Sequence, residues 1–196
     1  MIAFLKGRLA HKEPTYVIID VHGVGYQVNI SLQTFGDIKD REEVFLHTYL
    51  AVREDAHVLY GFSTPAEKNL FLHLISVNGV GPGTALIMLS YMSVEELSMA
   101  IAREDAAALQ RIKGIGTKTA QRVIIDLKDR IRREKDIEMT TMINPAHNTM
   151  RQEALTALLT LGIPRSAAEK SVDMVLKKSG NTITLEDLIK QALKAT

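Results

Sequence analysis

Hydrophobic and polar positions alternate along the first third of the chain. Between Gly25 and Ile30 the apolar residues Tyr26, Val28 and Ile30 are separated by polar ones, which is the two-residue period of a half-buried strand. Together with similar runs around it, the pattern predicts five short strands, at Ile2–Leu9, Tyr16–Val21, Gly25–Ile30, Val44–Leu50 and His57–Phe62. A small sheet has to protect its edges, and closure into a barrel of the oligonucleotide/oligosaccharide-binding (OB) kind does this with few strands.

The period changes to that of helices after Thr64. Pro65 suits the first position of a helix behind a serine or threonine cap, and Leu70, Leu74 and Val77 follow at spacings of four and three. Helical patterns then predominate to the end of the chain.

One segment interrupts the helical pattern. Residues 137–150 have no clean period and contain Pro145, so they are predicted to be a flexible linker. The unit that follows is expected to contain three helices, at Arg151–Leu161, Arg165–Lys178 and Leu185–Ala195. We therefore expect an α+β chain with domains at 1–62, 63–136 and 151–196.

The helical part of the chain repeats itself at an offset of 35 residues. Leu74–Ala85 lies over Leu109–Ala120, and in each copy an apolar helix ends, a Gly-apolar-Gly triplet turns the chain and another helix begins. Glycine permits backbone angles that other residues avoid, and it leaves room for close approach. The apolar residues between the glycines, Val80 and Ile115, are expected to pack between the two helices.

Each glycine hairpin places free main-chain N–H groups at the start of a helix, where the positive end of the helix dipole lies. This arrangement predicts a site for the phosphates of nucleic acid, without information about base sequence. The alternative is that each triplet is only a tight turn. The candidate DNA-binding residues are Asn78, Gly79, Val80, Gly81, Gly83 and Thr84 in the first hairpin and Lys113, Gly114, Ile115, Gly116, Thr117, Lys118, Thr119 and Arg122 in the second.

Charge is distributed unevenly along the chain. The net charge is only +1, so the chain as a whole is not a polycation. Residues 111–135, however, hold 9 basic and 3 acidic side chains, whereas residues 1–62 have a net charge of −2. This clustering is the usual electrostatic sign of phosphate binding, with a solvated helix face as the alternative.

Several kinds of chemistry are excluded. The chain has no cysteine, which removes disulfides, thiolate metal sites and cysteine nucleophiles, and its six histidines lack the spacing of metal ligands. A dinucleotide-binding fingerprint needs a third glycine where Thr84 and Thr119 stand, and Thr117 breaks the P-loop pattern between Gly116 and Lys118. We expect no cofactor, no ATP hydrolysis by the chain itself, no signal peptide, no membrane span and a cytoplasmic location.

Several motifs, taken in order, closely resemble those of the RuvA family of bacterial Holliday-junction branch-migration proteins. They are Gly23–Tyr26, Val52–Ala56, Leu59–Phe62, Asn78–Pro82 and Gly114–Ala120. The resemblance covers the whole chain and implies an OB-fold barrel, a tandem helix-hairpin-helix domain, a linker and a three-helix, UBA-like domain. The chain departs from the family at Gly83 and Thr117, which are uncharged where relatives often have lysine.

The resemblance also implies how the protein works. A homotetramer, alone or with a second tetramer face to face, would lie flat on a four-way junction and have no catalytic activity of its own. Its partners would be the hexameric ATPase RuvB, which moves the DNA, and the resolving nuclease RuvC. Glu54 and Asp55 would form an acidic pin at the junction centre, although from the residues alone they read as an ordinary hairpin tip. In the last domain Leu158, Leu161 and Ile163 would contact RuvB, with core packing as the alternative.

Two other classes of protein fit part of the sequence. A helix-hairpin-helix DNA glycosylase would use Lys118 as its nucleophile and Asp136 as its acidic residue, but no base-recognition domain of adequate size is present. A DNA-binding subunit of another repair complex is the third hypothesis. It differs from the RuvA family in having no preference for four-way junctions over linear duplex.

Overall fold

A computed structural model describes residues 1–54, 56–143, 145–179 and 183–195, and the side chains of 134–149, 178 and 179 lie outside that description. The chain divides into two compact units, Met1–Arg132 and Arg133–Thr196. The first unit contains five strands and a series of helices. The second contains the three last helices.

The five strands form a closed barrel, as predicted. They are β1 (Phe4–Glu13), β2 (Tyr16–Val21), β3 (Val24–Ile30), β4 (Glu43–Val52) and β5 (His57–Phe62). Their order around the barrel is β1-β2-β3-β5-β4, and only β3 and β5 run parallel to each other. The observed β1 begins two residues later than predicted and ends four residues later.

Local sequence explains two features of the barrel. His22 and Gly23 form a two-residue turn between β2 and β3 with φ angles of 52° and 88°, the turn whose twist matches antiparallel strands. Gly61 lies where the parallel strands approach closely, and a Cβ there would stand 2.6 Å from Val28 Cγ1. The apolar side of β3 faces the core, with Val28 and Ile30 buried as the alternation predicts.

A short helix, α1 (Leu32–Ile38), lies between β3 and β4, where the sequence pattern predicted no element. Ser31 caps it by accepting a hydrogen bond from the Thr34 amide at 3.0 Å. Its seven residues, which include Gly36, give too few helical repeats for the pattern to show, so this helix was missed.

The first unit continues in helices α2 (Pro65–Ser76), α3 (Pro82–Tyr91), α4 (Val94–Ala102) and α5 (Ala106–Gln110), and α6 (Thr117–Ile143) extends from it. Thr64 caps α2 as predicted, accepting from the Glu67 amide at 3.2 Å. The predicted apolar face of α2 is confirmed, because Leu70, Leu74 and Val77 are all buried in a core that continues into α6.

The second unit contains α7 (Pro145–Thr160), α8 (Arg165–Ser179) and α9 (Leu185–Lys194), close to the three helices predicted. The segment 137–150, which was predicted to be a flexible linker, has a helical backbone up to Ile143 and again from Pro145. Pro145 begins α7, and the first helical position is where a missing N–H removes no helical hydrogen bond.

Among the residues that the structure describes, no single helix is both long and apolar enough to cross a membrane. Only α3 and α4 taken together reach that length and composition, and they are bent by 102° relative to each other.

Candidate nucleic-acid interface

The two glycine hairpins have the same backbone conformation. Gly79 and Gly114 each have a φ of 91°, in the left-handed region that favours glycine. Gly81 then stands at the N-cap of α3, and Gly116 directly precedes α6. The repeat that the sequence predicted is therefore also a structural repeat.

The residue between the glycines fixes each turn from the inside. Val80 is 4% exposed and Ile115 is 5% exposed, as predicted. The Val80 amide donates to the Val77 carbonyl and the Ile115 amide to the Ile112 carbonyl, each at 3.0 Å. The two turns therefore have the same hydrogen-bonding pattern. Because these two side chains are in the core, only the main chain of Val80 and Ile115 faces outward.

The glycines of both hairpins border open space. A Cβ built on Gly79, Gly81, Gly83, Gly114 or Gly116 would meet no other atom within 4 Å. Packing against the rest of the protein therefore does not explain the lack of side chains here. The left-handed φ accounts for glycine at positions 79 and 114, and a second molecule that approaches the main chain closely would explain it at Gly81, Gly83 and Gly116.

Unpaired amides point out of both hairpins. In the part of the chain that the structure describes, the amides of Gly83 and Thr84 in α3 have no hydrogen-bond partner, nor do those of Lys118 and Thr119 in α6. No side chain caps α3 at Gly81. Donors of this kind, at the positive end of a helix dipole, favour an anionic ligand.

Cationic side chains surround these amides. Lys113, Lys118 and Arg122 are exposed, and the Arg122 guanidinium donates to the carbonyl of Asn78 at 3.3 Å. Arg122 therefore extends from α6, the helix after the second hairpin, to the first hairpin. The helix after the first hairpin, α3, has no charged residue. An open depression of about 290 Å³ lies along this face and is lined by Lys118, Gln121, Arg122, Ile125 and Asp126.

The remaining named candidates lie on the same two turns or in the first turn of the helix that follows each. Asn78 and Thr117 are exposed, and the Thr117 hydroxyl donates to the Gln110 side chain at 3.2 Å. Thr84 and Thr119 are half-buried. The structure therefore brings all fourteen candidates to two equivalent hairpins.

The basic stretch of 111–135 serves more than one purpose. Lys128 and Arg132 form ion pairs with Glu104, at 3.4 and 3.3 Å. Arg132 also donates to the carbonyl of Ala102 at the end of α4, 3.0 Å away. Arg132 therefore stabilises the C-terminus of α4, and Lys128 is paired with Glu104. The cations near the hairpins are a smaller group than the sequence indicated.

The acidic residues predicted to form a pin lie between β4 and β5. The amide of Arg53 donates to the carbonyl of Ala56 at 2.9 Å, which closes the connection. Glu54 is exposed at its tip, whereas Asp55 lies outside the described residues. The geometry thus presents at least one carboxylate to the surroundings of the barrel.

The three residues predicted to contact a partner separate into different environments. Leu158 is fully buried in the core of the second unit, so its side chain packs that core and is not on an accessible surface. Ile163 packs partly against the same core. Leu161 is 62% exposed at the end of the first helix of the unit.

An ion pair joins two helices of the second unit. Arg151 donates to Asp173 through Nε at 2.7 Å and through Nη2 at 3.0 Å. The hydrogen bond from Arg151 lowers the pKa of Asp173, against a smaller opposing effect of burial. The same bond raises the pKa of Arg151.

Sequence reasoning missed one polar cluster in the first unit. Glu67 in α2 is 3% exposed and accepts a hydrogen bond from Thr34 of α1 at 2.6 Å. The sequence did place Glu67 three residues after the Thr64 cap, in the first turn of α2. Nothing in the sequence indicated that residues at the start of α1 would donate hydrogen bonds to it.

The glycosylase hypothesis gains no support from this geometry. Lys118 is exposed on the surface of α6, and the Asp136 side chain lies outside the described residues. Among the described residues no group of three histidine, cysteine or acidic side chains is arranged to hold a metal ion.

Three domain families match the chain in order. They are described as RuvA N terminal domain, at residues 1–61, SAM-like helix-hairpin-helix tandem, at 71–129, and RuvA C-terminal domain, at 149–195. The second match spans both glycine hairpins. The first and third span the barrel and the last three helices.

Relatives similar over their full length carry one name, Holliday junction branch migration complex subunit RuvA. The one from Cytophaga hutchinsonii is 53% identical and the one from Christiangramia forsetii 49%, with 99% of both chains covered in each comparison. That from Amoebophilus asiaticus is 46% identical over 99% of this chain and 100% of its own. Neither the glycosylase nor another repair subunit is favoured by these comparisons. The RuvA N-terminal, helix-hairpin-helix and RuvA C-terminal families match this chain in that order, and these three relatives named RuvA are 46–53% identical to it over 99% of its length. The chain therefore belongs to the RuvA family.

Proposed function

We propose that the chain binds four-way Holliday-junction DNA as the RuvA subunit of a branch migration complex. The observation that carries this proposal is the pair of hairpins with equal φ at Gly79 and Gly114 and unpaired amides at the helix that follows each. Two such sites in one subunit hold the sugar-phosphate backbones of one arm. Because the donors belong to the main chain, the contact is independent of base sequence.

The cations near the hairpins contribute affinity that depends on salt. Lys113, Lys118 and Arg122 neutralise phosphates and release counterions, so the affinity falls as salt rises. Arg122 lies beside both hairpins and supplies the first with charge that its own helix lacks. Gly83 and Thr117 carry no charge, so there the main-chain amides supply the contact alone.

The acidic loop provides discrimination. We propose that Glu54 and Asp55 face the centre of the junction, where repulsion between carboxylates and phosphates disfavours continuous duplex and guides the strands apart. This role requires several copies of the chain around one centre. A homotetramer with one subunit on each arm supplies them, with a second tetramer able to face the first.

The second unit would connect the complex to its motor. We propose a division into a barrel domain at 1–62, a hairpin domain at 63–136 and a docking domain at 151–196, joined by 137–150. The docking domain binds the RuvB ATPase through a surface that includes Leu161, which is 62% exposed, and the edge of Ile163. An exposed leucine of this kind is typical of a partner contact.

The chain itself is non-catalytic in this proposal. RuvB hydrolyses ATP to move DNA through the junction, and RuvC resolves the junction on the same DNA. The complex acts in homologous recombination, DNA repair and fork reversal in the cytoplasm.

A competition experiment tests the proposal. A labelled four-way junction is bound to the full chain at fixed salt and displaced by unlabelled junction or by linear duplex with the same arm sequence. We expect the junction to compete much more strongly than the duplex, and two junctions of unrelated sequence to compete equally. Equal competition by duplex and junction would identify a general DNA-binding subunit instead.

A further inference from the structure

One buried carboxylate joins the barrel to the first helix of the hairpin region. Glu67 in α2 is 3% exposed and accepts hydrogen bonds from the hydroxyls of Ser31 and Thr34, the latter at 2.6 Å. The amide of Ser63 donates to the same carboxylate at 3.3 Å. Donors from two places, the start of α1 and the end of β5, therefore meet at one side chain of α2.

Aromatic rings also pack between α2 and the barrel. Phe71 of α2 packs against Tyr49, Tyr60 and Phe62 of the barrel, with ring centroids 5.5, 5.4 and 4.8 Å away. Burial of apolar surface holds the two parts together but is not directional. Hydrogen bonds weaken steeply when their angles change. Glu67 therefore supplies the buried directional part of the contact, beside exposed bonds from the Leu32 amide to Ser90 Oγ at 3.1 Å and from Lys68 Nζ to the Ala3 carbonyl at 3.4 Å.

The orientation of helix α2 determines the position of the first hairpin relative to the barrel. It has 12 residues and is therefore about 18 Å long, with the hairpin of Gly79 following its far end. A tilt of about 10° at the end that carries Glu67 moves the hairpin by about 3 Å relative to the barrel, which is the length of one hydrogen bond.

We propose that Glu67 is a positioning residue that sets the orientation of the hairpins relative to the barrel and thereby the preference for junction over linear duplex. The inference rests on the proposed function, in which the hairpins hold the arms while the acidic loop of the barrel faces the centre. A linear duplex gains its affinity from the hairpins and meets only repulsion from the acidic loop, so a change of this orientation does not weaken its binding. Loss of the carboxylate contacts lowers the affinity for the junction without lowering that for duplex.

Threonine variants separate positioning from stability. Thr34→Val removes with little change of shape the hydroxyl that donates to Glu67 and accepts from the Ser63 amide at 3.1 Å, and Thr34→Ser keeps that hydroxyl. Thr48→Val is the matched control, because Thr48 is 1% exposed and its hydroxyl donates to the Ile2 carbonyl at 2.8 Å, without contact to Glu67. Thr34→Val and Glu67→Ala are expected to lower the ratio of duplex Kd to junction Kd by about tenfold, the effect of losing one hydrogen-bonded contact. Thr34→Ser and Thr48→Val are expected to keep the ratio of the unchanged chain.

The measurement uses the full chain, with fluorescence anisotropy on a four-way junction and on a duplex of the same arm sequence, and with Kd corrected for the folded fraction. If Thr34→Val weakens both substrates by the same factor, or if Thr48→Val lowers the ratio equally, Glu67 is only structural and the positioning proposal is wrong. If Glu67→Ala does not fold, Thr34→Val decides. If the unchanged chain shows no preference for the junction, the proposed function fails first and the positioning role falls with it.

Discussion

The second glycine of each hairpin allows DNA binding to be changed with little effect on folding. Gly81 has φ −85° and ψ 169°, a conformation that alanine adopts freely, and Gly116 lies outside the left-handed region. A methyl group at either position meets no atom within 4 Å. In the double variant Gly81→Ala, Gly116→Ala, each added methyl group would stand between the unpaired amides and an approaching phosphate.

The two expected effects differ in size. Both glycines directly precede helices, where alanine is a poorer cap, so folding is expected to lose about 0.5–1 kcal/mol at each site. A hydrogen bond from an amide to a charged phosphate is worth about 1.5–3 kcal/mol. Losing one such bond raises the Kd for junction DNA about 10- to 150-fold, and losing one at each hairpin raises it further.

Urea unfolding and fluorescence anisotropy on a four-way junction measure these two quantities. Gly36→Ala is the matched control, because a Cβ at Gly36 in α1 also meets no atom within 4 Å. This control is expected to gain about 0.5–1 kcal/mol of stability from the helix and to bind DNA as the unchanged chain does. A double hairpin variant that is folded and binds the junction with unchanged Kd would refute the role of the hairpin amides.

Further predictions concern the loop and the second unit. Glu54→Gln with Asp55→Asn is expected to lower the Kd for linear duplex at low salt, because it removes repulsion between carboxylates and phosphates. Asp173→Asn is expected to reduce the free energy of unfolding by about 0.5–1 kcal/mol at neutral pH, a modest value because this ion pair is partly exposed. Since the folded state lowers the pKa of Asp173 below the ordinary value of 3.8, this stabilisation is present above that value and is lost as the pH falls. Leu161→Lys is expected to abolish stimulation of the RuvB ATPase without changing Tm, whereas Leu158→Ala is expected to cost about 2–5 kcal/mol of stability.

Each of these predictions has an outcome that contradicts it. Unchanged duplex affinity in the loop variant would leave Glu54 and Asp55 without a role in discrimination. An Asp173→Asn chain whose stability equals that of the unchanged chain at pH 7 would show that the ion pair contributes nothing net. Full ATPase stimulation by Leu161→Lys would remove Leu161 from the docking surface.

The barrel and most helices could be predicted because their signals are local. Alternation in β3 and the cap at Thr64 each depend on residues close in sequence. The helix α1 was missed because its seven residues contain too few turns to show a period. The helical backbone on both sides of Pro145 was also missed, since a proline at the start of a helix and one that interrupts a linker look the same in the sequence.

The sequence by itself determined the two hairpins. Glycine allows the backbone angles that the turn requires, and the Gly-apolar-Gly triplet occurs twice at an offset of 35 residues, so the repeat can be recognised without a structure. Tertiary structure alone decided which side chains reach beyond their own segment. It placed the Arg122 guanidinium on the Asn78 carbonyl, buried Leu158 while it exposed Leu161, and brought Thr34 to Glu67. Backbone conformation is set mainly by neighbouring residues, whereas burial and long-range hydrogen bonds depend on how distant segments pack together.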